Sequence, residues 1–153
     1  KGDRLAGTIM QMADSLDVTG RLIGGCIETS INLAGTPYGD VAAFGRKHAE
    51  DGLIVYVEAA EDGAAAICRN LHGLRLAGWF EHARAILVGR TSAPDHPQLT
   101  QRDAVLDALG RLEVPIVFDM EIGHVPPQLP LINGALATVT IDGATREISQ
   151  QLN

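Results

Sequence analysis

The sequence lacks long hydrophobic runs, a secretory leader pattern and a cysteine framework. No stretch of 18 or more apolar residues occurs among its 153 residues, so we expect neither a membrane-spanning helix nor a membrane partner. The start at Lys1 shows no basic segment followed by an apolar core, and no signal peptide is recognised. Cys26 and Cys68 have no CxxC spacing, so we expect two reduced thiols and a cytoplasmic protein.

Basic residues are scarce as well. The chain has 12 Lys and Arg against 19 Asp and Glu, a formal net charge of −7 at pH 7, which argues against a nucleic-acid partner. The remaining candidate ligands are histidines, and we predict that none pairs with Cys or Asp at metal-ligand spacing. We therefore predict no metal and no organic cofactor. The four histidines considered weakest are His48, His72, His82 and His96.

A serine nucleophile is also missing from the sequence pattern. None of the four serines lies in a Gly-x-Ser-x-Gly elbow, and Ser30 falls inside a predicted helix. Cys26 is the alternative nucleophile, because it follows Gly24-Gly25 at a predicted helix start, where a thiol pKa can be lowered. The glycine pair itself fits either an anion cradle or close backbone packing, and both interpretations stay open.

Apolar β-branched runs alternate with Ala- and Leu-rich stretches, which predicts an α/β fold in a single domain over residues 1–153. The run 53–57 has no polar alternation, so we expect it to be buried on both faces. The predicted strands are Arg21–Ile23, Leu53–Val57, Ala85–Val88, Pro115–Phe118 and Leu136–Ile141. The predicted helices are Cys26–Leu33, Ala64–Ala77 and Gln101–Leu109, with a short helix over Met10–Leu16 as a weaker possibility.

Local signals fix some of these boundaries. Gly78 suits a C-terminal cap for the second helix, and Gly110 closes the third. Thr100 is a predicted N-cap with Asp103 in the capping-box position. The segment 89–99 contains two prolines and is predicted to be a loop.

Glu58 and His124 lie at positions where catalytic residues are expected. Glu58 ends the apolar strand 53–57, and the carboxyl end of a strand is where α/β folds usually place functional groups. His124 lies in Gly-His-Val-Pro-Pro, a stiff turn that can direct a general base. A carboxylate and a histidine are two thirds of a charge-relay triad. A solvated strand-end acid and a loop histidine without a role are the alternatives.

The order of six motifs over about residues 18 to 143 resembles the C-terminal domain of the LD-carboxypeptidase family. This family includes muramoyl-tetrapeptide carboxypeptidases and microcin C immunity peptidases. The motifs are Gly20–Gly25, Gly35–Tyr38, Leu53–Glu58, Ile67 and Arg69 with Leu74 and Gly78, Ile86–Arg90, and Gly123–Pro127 leading into Leu129–Leu131.

The resemblance implies a swivelling β/β/α fold, a small mixed sheet with flanking helices, and a Ser-Glu-His triad. By this resemblance Glu58 and His124 are the catalytic glutamate and histidine, and the serine lies in an N-terminal domain absent from this chain. Arg69 matches the family's arginine on the following helix, and Cys26 stands where the family commonly has Asn; both are substrate-binding candidates. Ala59 replaces the family's usual Asp after the triad glutamate.

The implied activity is hydrolysis of the amide between an L-centre and a D-amino acid in murein-type peptides. Peptidoglycan recycling in the cytoplasm and a homodimer are carried over from the family. Because Cys26 and Ala59 depart from its pattern, two alternatives remain: a microcin C-type immunity peptidase and a non-catalytic module binding peptides or nucleotide conjugates.

Overall fold

A six-stranded mixed sheet forms the centre of the structure, a computed structural model that describes residues 15–151. The strands are β1 Ser15–Cys26, β2 Leu53–Glu58, β3 Ala83–Gly89, β4 Ile116–Met120, β5 Leu136–Asp142 and β6 Thr145–Gln151. Their order is β4-β3-β2-β1-β5-β6. Strands β1 to β4 are parallel, whereas β5 and β6 are antiparallel to their neighbours. The α/β prediction with a mixed sheet is confirmed.

Helices connect the parallel strands. They are α1 Ile27–Ser30, α2 Val41–Lys47, α3 Ala64–Leu76 and α4 Gln101–Leu109, with a 3-10 turn at Pro37–Gly39. Within residues 15–151, no helix is both long enough and apolar enough to cross a membrane. The prediction for α4 matches residue for residue, and that for α3 is one residue too long.

The first predicted helix is shorter than expected. After Ile31, backbone N–H groups bond to carbonyls three residues back rather than four, as Asn32 does to Thr29 at 3.2 Å. Two β-branched residues and an asparagine, which are weak helix formers, stand at this point. The helix therefore ends at Ser30, and turns complete the segment predicted to be helical as far as Leu33.

Strand β1 is much longer than the predicted Arg21–Ile23, because it has a different partner along each half. Ser15 to Arg21 pairs with β5, and Arg21 to Cys26 pairs with β2. Glycines interrupt the pattern of β-branched residues here, so the pattern did not predict the full length of the strand. Gly24 is required at this point, since a Cβ on it would collide with the carbonyl of Tyr56.

The core lies on both faces of the sheet. Strand β2 is central, and its residues from Leu53 to Val57 are buried apart from the half-buried Tyr56, as predicted for this apolar run. One face packs against α3 and α4 through Ile67, Leu71 and Val105, among others. The opposite face carries a smaller cluster that includes Ile54 and Val139. This double burial fixes the carboxyl end of β2 rigidly.

Caps define the two helices on the first face. Helix α3 ends in a Schellman arrangement: the Trp79 N–H donates to Leu74 at 3.1 Å and the Gly78 N–H donates to Arg75 at 3.0 Å, with Gly78 at φ +81°. Helix α4 begins with the predicted capping box between Thr100 and Asp103. Both predictions are confirmed.

Two elements were missing from the sequence prediction, and one predicted element is not supported. Helix α2 and the edge strand β6 were not predicted. Of the short helix considered over Met10–Leu16, the first five residues lie outside the described part, while Ser15 and Leu16 belong to β1. That helix prediction is wrong where it can be compared.

Candidate active site

Glu58 and His124 meet at the carboxyl end of the parallel strands. The His124 Nδ1 lies 3.0 Å from each carboxyl oxygen of Glu58, although the two residues are separated by 66 positions. The Glu58 side chain is 4% exposed and that of His124 is 62% exposed. Since the carboxyl group accepts, Nδ1 carries the proton, and the Nε2 lone pair is left for a reactant. The expected proximity of these two residues is thus found.

Two glycines make room for the Glu58 side chain. A Cβ on Gly89, at the end of β3, would lie 2.8 Å from the Glu58 Cβ. A Cβ on Gly123 would lie 2.5 Å from the Glu58 Cγ and 2.6 Å from its Oε2. Gly123 also has φ +95°, a conformation that residues with a Cβ rarely adopt. The glycine before His124 therefore lets the backbone approach the carboxylate closely.

Arg90 holds the loop that carries His124. Its Nη2 donates to the carbonyl oxygens of Pro127, at 2.7 Å, and of Val125, at 3.4 Å. Its backbone N–H donates to Met120 at 3.0 Å, just before the loop begins. One residue at the end of β3 thus contacts both ends of the loop. Sequence reasoning missed this role, although a polar residue at a strand's carboxyl end is the signal that singled out Glu58.

The surroundings of His124 are acidic. The hydrogen bond that His124 donates to Glu58, and then the charge of Glu58, raise the pKa of His124 above the ordinary 6.5. The carboxylates of Glu28 and Glu61 act in the same direction. A histidine held in this way is a base with increased proton affinity, and its protonated form is stabilised.

Glu28 joins α1 to the loop after β2. Its Oε1 accepts the backbone N–H groups of Ala60, Glu61 and Asp62 at 2.9, 3.0 and 3.0 Å. Burial alone would raise its pKa, but these N–H donors and the Cys26 thiol outweigh burial and lower the pKa to about 2. Glu28 therefore anchors the residues that immediately follow Glu58.

Cys26 lies beside Glu58 but is not an activated thiol. The two residues are paired across β1 and β2, and the Cys26 Sγ donates to Glu28 Oε2 at 3.1 Å. Burial and this hydrogen bond raise the pKa of Cys26 above 9.0. The idea that the helix start lowers its pKa is wrong, because α1 has only four residues and its nearest charge is a carboxylate. Its position remains compatible with substrate contact.

The first glycine of the pair, Gly24, is hydrogen-bonded to a side chain of the same chain. Asn133 Oδ1 accepts the Gly24 N–H at 3.1 Å, and Asn133 Nδ2 donates to the Gly24 carbonyl at 3.2 Å. The same Oδ1 accepts the Tyr56 hydroxyl at 2.9 Å. At Gly24 the close-packing interpretation is therefore favoured over an anion cradle.

The structure does not link Arg69 to the Glu58–His124 pair. Arg69 is exposed on α3, and it makes no hydrogen bond or ion pair with Glu58 or His124. Burial, and then the hydrogen bond to Asp107, raise the pKa of Cys68, and the charge of Arg69 opposes this rise. The assignment of Arg69 to substrate binding stays a prediction.

The remaining candidate residues fall into two groups. In residues 15–151, none of the four serines hydrogen-bonds His124. One histidine does have ligating neighbours: Cys68 and His72 are one turn apart on α3, and with Asp107 of α4 their ligand atoms all lie within 4.8 Å of one another. The prediction that no histidine pairs with Cys or Asp at metal-ligand spacing is therefore wrong at His72.

A cavity of about 380 Å³ adjoins the pair. Ala59 and Val125, the chain neighbours of Glu58 and His124, line it, and its walls are otherwise mainly apolar. Arg102 lies at the same cavity, with its guanidinium 3.9 Å from the centre of the Phe118 ring. A mainly apolar cavity with a few polar groups next to an acid-base pair is typical of a small-ligand site.

Comparison with known proteins identifies the family. The family model described as the LD-carboxypeptidase C-terminal domain matches residues 19–139. The chain belongs to this family. Two curated relatives, both provisionally named carboxypeptidases, are similar to it: a Vibrio cholerae protein, 26% identical over 136 residues, and a Streptomyces coelicolor protein, 30% identical over 126 residues. The matches cover 88% and 82% of this chain, but only 39% and 38% of those proteins.

Solved structures show the same fold. The crystal structure of muramoyltetrapeptide carboxypeptidase from Oxalobacter formigenes is similar with a TM-score of 0.72 and 21% identity, over 89% of this LD-carboxypeptidase domain and 45% of that chain. The microcin C7 self-immunity protein is similar with a TM-score of 0.67 and 21% identity, over 90% and 39% of the two chains. The resemblance seen in the sequence is therefore confirmed at the level of family and fold.

Proposed function

We propose that this chain is the C-terminal part of a serine-type LD-carboxypeptidase, in which Glu58 and His124 act with a serine from another domain. The contact between a buried Glu58 and an exposed His124, at 3.0 Å, is the observation that carries this proposal. The relatives are more than twice as long as their match to this chain, which leaves room for a nucleophile-bearing domain. Peptidase activity of the family is the second support.

The geometry of the Glu58–His124 pair supports the following reaction. The serine oxygen attacks the scissile carbonyl carbon while the His124 Nε2 accepts its proton. His124 then donates that proton to the leaving amine as the C–N bond breaks, and water hydrolyses the acyl-enzyme by the same sequence of proton transfers. Glu58 keeps the proton on Nδ1 and stabilises the imidazolium. These steps need no group other than the two domains and water.

For the substrate, we propose a murein-type peptide that ends in a D-amino acid, used in cytoplasmic peptidoglycan recycling by a homodimer. The cavity of about 380 Å³ beside the pair has room for one amino-acid side chain. The carboxylates around His124 favour a substrate with an ammonium group near the scissile bond. Cys26 and Arg69 are kept as candidate substrate contacts.

The test supplies the protein with a nucleophile-bearing N-terminal domain of the family. We expect release of the terminal residue from a murein tetrapeptide ending in a D-amino acid, and no release from the diastereomer ending in an L-amino acid, measured by mass spectrometry. The chain alone should be inactive, because loss of the nucleophile of a triad costs about a million-fold in turnover. Equal cleavage of both diastereomers would contradict LD specificity.

A second candidate is an immunity peptidase acting on acyl-nucleotide conjugates, or a module that only binds them. The microcin C7 self-immunity protein has been solved in complex with aspartyl sulfamoyl adenosine, and its fold is shared. Turnover of an aspartyl sulfamoyl nucleoside, without turnover of the tetrapeptide, would favour the immunity peptidase. Saturable binding without any turnover would favour the binding module.

A further inference from the structure

A group of three metal-ligating side chains lies on the helix layer, apart from the Glu58–His124 pair. Cys68 and His72 are on α3 and Asp107 is on the neighbouring helix α4. The His72 Nε2 lies 2.8 Å from Asp107 Oδ2, and the Cys68 Sγ lies 3.4 Å from the same oxygen. None of the three residues hydrogen-bonds to Glu58 or His124, so the group is independent of the proposed reaction.

The spacing of the three ligand atoms is close to what one tetrahedral ion requires. With bonds of about 2.3 Å to sulfur and about 2.0–2.1 Å to nitrogen and oxygen, ligand atoms around such an ion are about 3.3–3.6 Å apart. The observed distances of 2.8 and 3.4 Å, with all three atoms within 4.8 Å, differ from this by changes that side-chain torsions can supply. Residues four apart on a helix present their side chains on one face, which fixes Cys68 next to His72.

The donor set selects a class of ion. A thiolate, an imidazole and a carboxylate together suit Zn²⁺, which accepts sulfur, nitrogen and oxygen ligands. Magnesium and calcium prefer oxygen ligands only and do not match this set. We propose that Cys68, His72 and Asp107 form a binding site for a zinc-class transition-metal ion that links α3 to α4, with water as the fourth ligand.

The metal-free hydrogen bonds show what must change on binding. Arg75 Nη2 lies 3.1 Å from His72 Nδ1 and can only donate, so the ring proton is on Nε2 and points to Asp107. A metal on Nε2 requires that proton to sit on Nδ1, where it opposes the Arg75 donor. Cys68 must also lose its thiol proton, which it donates to Asp107. Replacing Arg75 by a residue that accepts from Nδ1 should therefore tighten metal binding.

The experiment uses Co²⁺ as a spectroscopic probe for the Zn²⁺ site. We expect the purified protein to develop a thiolate-to-cobalt charge-transfer band and the visible bands of a tetrahedral ion, both abolished by added Zn²⁺. Cys68→Ser should remove the charge-transfer band. His72→Gln and Asp107→Asn should each weaken binding by at least about tenfold, since even outer-shell changes at metal sites cost that much. Arg75→Gln should tighten it.

The other thiol is the matched control. Cys26→Ser should keep the charge-transfer band, because the Cys26 thiol donates to Glu28 and lies beside Glu58 rather than beside His72 and Asp107. A band that survives Cys68→Ser and disappears in Cys26→Ser would overturn the proposal, as would the absence of any band. Circular dichroism of each metal-free variant establishes whether it is folded. If Cys68→Ser does not fold, the strength of cobalt binding in His72→Gln tests the proposal instead. The readout is binding, so it stands or falls separately from peptidase activity.

Discussion

At the scale of single residues, the pairing of Glu58 with His124 combines a buried acceptor with an exposed base. The Glu58 side chain is almost fully buried, with Gly89 and Gly123 packed against it, and both of its oxygens lie within hydrogen-bonding distance of the His124 Nδ1. This leaves Nε2 on the accessible side of the imidazole. The sequence suggested both residues because each ends or follows an apolar run, but only the fold shows that positions 66 residues apart share a hydrogen bond.

The raised pKa of His124 is the first testable consequence. Because Glu58 accepts from Nδ1 and its charge favours the imidazolium, nuclear magnetic resonance titration should give a pKa for His124 above 6.5. Glu58→Gln should shift that pKa back towards 6.5. A general base must be unprotonated, so activity of the assembled enzyme should rise with pH through the raised pKa. A His124 pKa at or below 6.5 in the unaltered protein would contradict this.

Gly123 should be irreplaceable for a reason that Gly134 does not share. Both glycines have left-handed φ angles, +95° and +89°, but a Cβ on Gly123 meets Glu58 whereas a Cβ on Gly134 has no atom within 4 Å. Gly134→Ala should cost about 1–2 kcal/mol of unfolding free energy from backbone strain alone.

Gly123→Ala should cost more than that and should also move the His124 pKa, because the Cβ displaces the carboxylate. Urea unfolding measures the first effect and the histidine titration the second. Equal losses of stability in the two variants, with an unchanged His124 pKa, would show that the contact with Glu58 plays no part.

At the scale of elements, local signals were enough where an element carries its own boundary residues. Helix α4 was predicted to the residue because Thr100, Asp103 and Gly110 mark its ends. Helix α2 was missed although Asp40 caps it, accepting the Ala43 N–H at 2.8 Å, because Gly45 interrupts its pattern. Gly45 is required by packing, since a Cβ there would collide with the His82 ring.

Strand β6 was missed for a different reason. It is an edge strand of mainly exposed residues, with only Ile148 packed on the second core cluster, so it has no apolar pattern to reveal it. The turn before it is Gly143-Ala144, and a glycine with positive φ at the first turn position, here +55°, is a common feature of two-residue hairpins. The length of β1 likewise depended on its two partners, which are separated from it in sequence.

The loop that carries His124 should depend on Arg90. Arg90→Met removes the hydrogen bonds to Pro127 and Val125, so we expect a loss of about 1–3 kcal/mol in unfolding free energy. The His124 pKa should also fall towards 6.5, because the ring is no longer held against Glu58. Arg102→Met is the matched control, since Arg102 lines the same cavity but does not bond the loop. A loss of stability without any change in the His124 pKa would limit Arg90 to a structural role.

Glu28 should make stability sensitive to acid. Its pKa of about 2 in the folded state lies below the ordinary 4.5, so its contribution is present above pH 4.5 and is lost as pH falls towards 2. With allowance for partial exposure we expect on the order of 2 kcal/mol. Glu28→Gln should therefore be less stable than the unaltered protein at pH 6, and this difference should shrink by pH 3.

The exposed Glu61 provides the control for that comparison, because Glu61→Gln leaves the three N–H donors to Glu28 in place. It should change stability little at either pH. If Glu28→Gln lost the same free energy at pH 6 and pH 3, the ionised form of Glu28 would not be what holds the loop.

At the scale of the whole molecule, the domain presents the hydrogen-bonded pair of Glu58 and His124 at the carboxyl edge of its parallel strands. The family and the mixed sheet could be inferred from the order of motifs along the chain. The roles of Arg90 and Glu28 could not, because each depends on contacts between elements far apart in sequence. The spacing of Cys68 and His72 was visible in the sequence, whereas the approach of Asp107 to them depends on how α3 packs against α4.

We propose that Glu58 and His124 act as one catalytic unit with a serine from another domain. The most direct measurement is kcat for Glu58→Gln, His124→Ala and the double variant, each supplied with the nucleophile domain. We predict losses of at least about 10³–10⁴-fold in each single variant, and a double variant no slower than the slower single one, because members of one triad are not additive. Substantial activity in His124→Ala would contradict a joint catalytic role of the two residues. Losses of kcat that multiply in the double variant would contradict it as well.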